Sequence, residues 1–288
     1  MKIGFIGLGL MGEPMCSNLI EKSGCEVYVF DLSPAPVERL AAKGAKPRGA
    51  SREIGETCDV VFSMVPKTEH VEAVYAELLP VVRAGQLLVD MSTISPLASA
   101  ALAEKVAERG GRMLDAPVVK SRPAAIAGKL GIYIGGAPED FERAKPLLLM
   151  MGERVKHLGA NGSGLVMKLC HNALVAQIQN GVNETMELAA RTAGIDPLTF
   201  AEAIGMGGGQ NFYLDGKAAP IAAGDFTTAF SVENMNKDVH LARELCDSCG
   251  LEAEGVALTV RRYESAMERG LGRLDFSATR LLQEKGAD

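Results

Sequence analysis

Two side chains of this sequence suit proton-transfer chemistry: Lys168 and Asn172, four residues apart. Because residues 163–193 contain no proline and are rich in apolar and small side chains, we expect one long helix there. Residues i and i+4 share a face of a helix, and Leu165 and Leu169 lie on the same side. A lysine on a helix is often merely solvated, but apolar neighbours favour a buried site for this one.

Lysine can act as a general acid or base when its pKa falls from about 10.4 toward about 7 to 8. The amide of Asn172, one turn along, can orient a substrate because it both donates and accepts. His171 is an alternative base, or else a packed histidine beside the site. His70, His157 and His240 are interpreted as structural.

A glycine fingerprint, Gly7-Leu-Gly9-Leu-Met-Gly12, lies between an expected strand at 3–6 and an expected helix at 12–22. A second expected strand, at 26–30, ends beside Asp31. In this setting the glycines let the backbone approach a pyrophosphate at the helix N-terminus, and the carboxylate accepts hydrogen bonds from the adenosine ribose. The pattern predicts dinucleotide contacts from Gly7, Gly9, Leu10, Met11, Gly12 and Asp31.

Asp31 also indicates which dinucleotide binds. A carboxylate about 4 Å from a 2′-phosphate would cost roughly 4 kcal/mol per unit charge at an effective dielectric near 20. No arginine follows before Arg39 to compensate that charge. We therefore predict NAD rather than NADP.

Further strands are expected at 59–65, 86–90, 112–115, 131–135 and 154–158, with helices between most of them. This alternation predicts an α/β fold with a Rossmann-type, doubly wound, mostly parallel sheet, whose ligands bind at the carboxyl ends of the strands. Val65, Pro66 and Thr93 follow two of these strands, and we predict that they contact the cofactor.

The rest of the chain reads as helix only. Helices are expected at 196–206, 209–217, 231–248, 255–269 and 276–284. We therefore predict a dinucleotide-binding domain over 1–162 and an all-α domain over 163–288, with the long helix shared between them and Ser163 as its N-cap.

Composition excludes several classes of function. The chain has 288 residues, is 47% hydrophobic and carries a net charge of −6, which argues against binding to nucleic acid or to anionic membranes. No apolar run is long enough for a membrane span, and we expect a cytoplasmic protein. The six scattered cysteines are expected to be reduced, and Cys246-Asp-Ser-Cys249 lacks the second pair of a typical metal site, so no metal is predicted.

Five motifs together resemble the β-hydroxyacid dehydrogenase family, whose best-known member is 3-hydroxyisobutyrate dehydrogenase. They occur in the right order over nearly the whole chain, and such a set is far more specific than the glycine fingerprint alone. The motifs are Gly-Leu-Gly-Leu-Met-Gly-Glu-Pro-Met at 7–15, Asp-Met-Ser-Thr at 90–93, Asp-Ala-Pro-Val at 115–118 with Ala-Gly-Lys-Leu at 127–130, Gly-Ser-Gly at 162–164 with Lys168 and Asn172, and Lys-Asp-Val-His-Leu-Ala at 237–242.

The resemblance implies a Rossmann domain, an all-α domain built on the long helix, Lys168 as the catalytic lysine, and a homodimer or homotetramer. It implies that Thr93 contacts the nicotinamide end of the cofactor and that Lys237 contacts both cofactor and substrate. The implied reaction is oxidation of a small 3-hydroxy acid, or reduction of the matching aldehyde or keto acid.

The sequence departs from the family pattern beside Asp-Ala-Pro-Val. Residues 119–121 read Val-Lys-Ser where Ser-Gly-Gly is usual, so a hydroxyl is lost and a cation is gained. Lys120 resembles an arginine of sulfolactaldehyde reductases, and Ser121-Arg122 resembles the Ser-Lys of glyoxylate and succinic semialdehyde reductases. The alternative interpretation is that Lys120 and Arg122 are solvated loop cations. A sulfonate substrate is disfavoured by Val175, because sulfolactaldehyde reductases carry a hydroxyl at that position. We predict a small anionic substrate held by Lys120, Ser121, His171, Asn172 and Lys237.

Two alternative functions stay open. One is reduction of an anionic aldehyde of the sulfolactaldehyde, succinic semialdehyde or glyoxylate type. The other is a dinucleotide-binding module without catalysis, similar to relatives that have lost the lysine. The presence of Lys168 and Asn172 argues against the second.

Overall fold

The computed structural model describes residues 1–283 and divides the chain into two compact units, Met1–Lys168 and a second that begins at Leu169. The break falls within the helix Ser163–Ala193, whose bounds coincide with the expected 163–193. The proposed domain boundary at residue 162 therefore stays a prediction.

One sheet contains the strands of residues 1–283, in the order β3-β2-β1-β4-β5-β6-β8-β7, with β9 paired to β8. Neighbours from β3 through β6 are parallel, whereas β8 runs antiparallel to β6 and β7. The strands are β1 (Lys2–Ile6), β2 (Glu26–Phe30), β3 (Lys46–Pro47), β4 (Val60–Ser63), β5 (Leu87–Asp90), β6 (Arg112–Asp115), β7 (Val118–Val119), β8 (Leu130–Gly135) and β9 (Gly152–Gly159).

Helices connect these strands and make up the second unit. In the first unit they are α1 (Gly12–Lys22), α2 (Pro34–Ala41), α3 (Ser51–Thr57), α4 (Thr68–Leu78), α5 (Pro96–Glu108), α6 (Arg122–Ile126) and α7 (Pro138–Met151), with a 3-10 helix at Leu79–Val81. Then follow α8 (Ser163–Ala193), α9 (Pro197–Ile204), α10 (Phe212–Ala222), α11 (Val232–Cys249), α12 (Glu254–Glu268) and a 3-10 helix at Phe276–Gln283.

The sheet is buried on both faces, as its continuous apolar strands require. Phe5 and Phe62 pack in the core on one face, while Val61 and Leu88 pack in the core on the other. The second unit has a separate core around the later turns of α8. The α/β class with a doubly wound, mostly parallel sheet and an all-α second part is therefore confirmed.

Some local expectations were wrong. The strands β3 and β7 were not expected, because two residues are too few to form the apolar or alternating pattern that identifies a strand in a sequence. Helix α10 begins at Phe212 rather than 209, because the Asn211 side chain accepts from the Leu214 amide at 2.9 Å and caps it there. The last expected helix is a 3-10 helix, and residue 284 lies outside the described residues.

The N-terminus of α8 is not capped by Ser163 as expected. Ser163 Oγ donates instead to the carbonyl of Ala160 at 2.7 Å. The Leu165 amide donates at 2.9 Å to Oδ2 of Asp115, and the Gly162 amide donates at 2.7 Å to Oδ1. The Asp115 carboxylate at the end of β6 therefore accepts with one oxygen the helix amide that the Ser163 hydroxyl was expected to accept, and with the other oxygen it accepts a second amide.

Candidate active site

The loop between β1 and α1 has the shape that a dinucleotide fingerprint requires. Gly7 has φ 89°, in the left-handed region that favours glycine. A Cβ on Gly12 would lie 1.9 Å from the Gly7 carbonyl oxygen, so only glycine fits. A Cβ on Gly9 would meet no atom within 4 Å, which leaves open space in front of the α1 N-terminus. Leu10 is exposed in the same loop, and these residues fit a pyrophosphate.

Asp31 lies beside this loop at the end of β2. Its Oδ2 accepts from the Leu8 amide at 2.6 Å, and its Oδ1 accepts from the Ser33 amide at 2.7 Å. Arg39 forms a bidentate pair with Glu13, through Nε–Oε1 at 2.6 Å and Nη2–Oε2 at 2.8 Å. The hydrogen bond from Arg39 lowers the pKa of Glu13. The arginine that could have attracted a phosphate is thus paired with another carboxylate.

A buried polar network joins the loops that follow β4 and β5. Asp90 Oδ1 accepts from Ser63 Oγ and from Ser92 Oγ, each at 2.7 Å. The Val65 amide donates to Ser92 Oγ at 2.9 Å. Burial raises the pKa of the fully enclosed Asp90 to about 6. The network thus connects Val65 to Ser92, the residue just before Thr93. Val65 and Thr93 are two of the positions at which we predict cofactor contacts, and Pro66, a third, is exposed.

Lys168 is not a solvated lysine. It is 7% exposed, and Asn172 one turn later on α8 is 4% exposed. Leu165 and Leu169, which flank it on the helix, are fully buried. The structure thus places the amine and the amide at the buried positions that the apolar pattern indicated.

Asp238, which no sequence pattern predicted as a site residue, contacts two of the predicted site residues. Asn172 Nδ2 donates to Asp238 Oδ2 at 2.6 Å, and Lys237 Nζ lies 2.8 Å from Asp238 Oδ1. His171 Nδ1 is 3.0 Å from Asn172 Oδ1, so four side chains form a connected chain. Asp238 is 1% exposed. The sequence did contain a signal for Asp238, namely its position between Met235 and Val239, which are buried. A carboxylate on an apolar helix face needs polar partners.

Lys120 occupies an unusual backbone position. It is the one non-glycine residue with a left-handed φ, 78°, within the described chain, at a place where the related pattern has glycine. Its Nζ pairs with Glu153 Oε1 at 2.5 Å, and the lysine side chain is 42% exposed. Ser121 lies at the N-cap of α6, and its side chain makes no cap hydrogen bond. Substrate binding by Lys120 and Ser121 stays a prediction.

Other chemistry finds little support in the structure. Within residues 1–283, no three histidine, cysteine or acidic side chains are grouped so that they could hold a metal ion. All six cysteines, including Cys246 and Cys249, are free thiols. Over the same residues, no helix has the length and apolar character needed to cross a membrane.

Two family models match the chain almost end to end. Residues 2–159 match the NAD binding domain of 6-phosphogluconate dehydrogenase. Residues 162–282 match the NAD-binding domain of NADP-dependent 3-hydroxyisobutyrate dehydrogenase.

Similar proteins agree with these matches. A 2-(hydroxymethyl)glutarate dehydrogenase of Eubacterium barkeri is 34% identical, over 96% of this chain and 93% of the relative. An NAD-dependent L-serine dehydrogenase of Pseudomonas aeruginosa is 35% identical, over 98% and 97%. The solved structure of Mycobacterium tuberculosis 3-hydroxyisobutyrate dehydrogenase with L-serine superposes with a TM-score of 0.91 at 30% identity, covering 99% of both chains. The chain therefore belongs to the β-hydroxyacid dehydrogenase family and is an NAD(P)-binding oxidoreductase that acts on CH–OH groups.

Proposed function

We propose that the protein oxidises 2-substituted 3-hydroxypropanoates with NAD, or reduces the matching aldehydes. The observation that carries this proposal is the buried Lys168, one turn before the buried Asn172 on α8, in a chain with a complete dinucleotide loop. A buried lysine next to a dinucleotide-binding domain favours a functional role over a structural one, and its amine suits transfer of the substrate proton.

The substrates named for the relatives share one chemical core. 3-Hydroxyisobutyrate, L-serine and 2-(hydroxymethyl)glutarate each carry a CH₂–OH group on a carbon that also bears a carboxylate. They differ in the third substituent on that carbon, which is a methyl, an ammonium or a carboxyethyl group. We propose that this chain acts on the same core.

The residues of the chain then have separate roles. The nicotinamide, when bound, supplies the hydride acceptor. Lys168 takes the proton from the substrate hydroxyl, and Asn172 orients the substrate oxygen. Asp238 fixes Asn172 through the 2.6 Å hydrogen bond and fixes Lys237 through the 2.8 Å ion pair. We assign Lys237 to contact the substrate carboxylate and the cofactor through its charge. We assign His171, the neighbour of Asn172, to substrate binding.

The third substituent is the part of the substrate that distinguishes these candidate substrates. Lys120 is the cation that we assign to a second anionic group, which would compete with Glu153 for its ammonium. Ser121 adds a hydroxyl next to it. A dicarboxylate such as 2-(hydroxymethyl)glutarate fits this arrangement better than serine does, because the serine substituent is itself a cation.

Cofactor choice and assembly are also proposals. Asp31 and the pairing of Arg39 with Glu13 support NAD over NADP. We also propose a homodimer or homotetramer in the cytoplasm, since free thiols suit a reducing compartment, and light scattering would test the assembly.

The experiment is a substrate panel with NAD, read by the absorbance of reduced nicotinamide. It contains 3-hydroxyisobutyrate, L-serine, 2-(hydroxymethyl)glutarate and the uncharged alcohol 2-methyl-1-propanol. We expect kcat/KM for at least one carboxylate to exceed that for the alcohol by roughly 100-fold, the effect of about 2.7 kcal/mol. Equal rates on the alcohol, or no turnover of any carboxylate in either direction, would refute the proposed function.

A further inference from the structure

Asp115, the last residue of β6, is fully buried and reaches the start of α8. Its Oδ1 accepts from the Gly162 amide at 2.7 Å, and its Oδ2 accepts from the Leu165 amide at 2.9 Å. The first amides of a helix have no partner within the helix, and its N-terminus favours negative charge. One carboxylate therefore binds the sheet to the first turn of α8 at two points.

The same turn is pressed closely against the sheet. A Cβ on Gly164 would lie 2.8 Å from Asp115 Oδ2 and 2.9 Å from both the Gly135 nitrogen and the Tyr133 carbonyl oxygen. A Cβ on Gly135 would lie 2.4 Å from Asp115 Oδ1. Two glycines are thus needed for the turn to come this close. The turn can neither slide nor rotate without breaking these contacts.

Lys168 follows this turn directly, three residues after Leu165 on the same side of the helix. Any shift of the turn moves the amine with it. A misplacement of about 1 Å can cost a reaction on the order of 100-fold. We propose that Asp115 is a positioning residue, whose carboxylate fixes the first turn of α8 and thereby sets the place of the Lys168 amine. Its effect on turnover rests on the proposed function of Lys168.

Asp115→Asn tests the proposal, with Asp275→Asn as the matched control. Asp275 is a buried carboxylate of the second unit that also accepts backbone amides, from Ala229 at 3.1 Å and Ser277 at 3.1 Å. Each substitution keeps the size of the side chain and removes an anionic acceptor. Asp275 also pairs with Lys217 Nζ at 2.7 Å, so its substitution should cost at least as much stability without touching the first turn of α8, and it reports what lost stability does to turnover.

Four readouts separate positioning from stability. For Asp115→Asn we expect faster hydrogen exchange in the segment 162–168, and a change of at least about 3-fold in labelling of Lys168 by pyridoxal phosphate and borohydride. We also expect a loss of at least about 10-fold in kcat, with the dissociation constant of NAD within about 3-fold of wild type. For Asp275→Asn we expect a lower melting temperature with unchanged Lys168 labelling and unchanged kcat.

Unchanged Lys168 labelling in Asp115→Asn, or equal losses of kcat in both variants, would overturn the proposal. Labelling needs no substrate, so a wild-type protein that oxidises none of the panel would sink the proposed function while the positioning claim is still tested. If Asp115→Asn fails to fold, Gly164→Ala tests the same contact, because it keeps the carboxylate and displaces the turn. Wild-type labelling and kcat in Gly164→Ala would likewise overturn the proposal.

Discussion

Asp31→Asn should convert the protein from a strong preference for NAD to a weak one. The carboxylate of Asp31 accepts the Leu8 and Ser33 amides, which holds it beside the glycine loop where the adenosine ribose is expected. Asparagine keeps one acceptor oxygen and loses the charge. A charge-assisted hydrogen bond contributes about 1.5 to 3 kcal/mol, so kcat/KM for NAD should fall roughly 10- to 100-fold.

NADP should respond in the opposite direction. Repulsion between a carboxylate and a phosphate about 4 Å apart is roughly 4 kcal/mol per unit charge at an effective dielectric near 20. Asp31 is half-buried, so solvent screening reduces this to about 2 kcal/mol, or roughly 30-fold. The ratio of kcat/KM values for the two cofactors should therefore change by a factor of roughly 300 or more.

The assay is steady-state kinetics with each cofactor at a fixed, saturating concentration of hydroxy acid. Asp59→Asn is the control, because Asp59 also accepts a backbone amide, from Lys2 at 2.8 Å, but lies just before β4, at the amino end of the parallel strands, whereas Asp31 follows the carboxyl end of β2. The control should leave the ratio unchanged. A wild-type preference for NADP, or an unchanged ratio in Asp31→Asn, would refute the reasoning.

Three further predictions concern the buried and charged residues of the site. Lys168→Ala should abolish turnover and leave the NAD dissociation constant from calorimetry nearly intact, whereas a parallel loss of binding would make the lysine structural. Because burial raises the pKa of Asp90 from 3.8 to about 6, the folded protein binds more protons than the unfolded chain in that window, and its stability falls as pH rises through it. The free energy of unfolding of wild type minus that of Asp90→Asn, from urea titrations, should thus fall by about 2 kcal/mol between pH 4 and pH 6, and a rising or flat difference would contradict it. Lys120→Ala should raise the KM for the substrate at least about 10-fold, while Glu153→Gln should lower it by releasing the lysine, so shifts in the same direction would return both residues to the solvated surface.

The sequence by itself determined the fold class and the position of the main helix. The glycine fingerprint, the apolar strands and the proline-free run over 163–193 are local signals, because turn chemistry and side-chain periodicity act between residues close in the chain. Burial of Lys168 was also predictable, since its neighbours on the helix face are apolar. The family resemblance added roles that spacing alone does not carry.

Only the tertiary structure decided which polar side chains contact the predicted site residues and the first turn of α8. Asp115 is 50 residues from Leu165, and Asp238 is 66 residues from Asn172. Lys120 reads as a free cation in the sequence, yet it pairs with Glu153, 33 residues away, from a left-handed backbone. Each of these contacts depends on two strands or helices that packing brings together. No local pattern encodes such a contact, because a buried carboxylate needs a partner but does not specify from which part of the chain it comes.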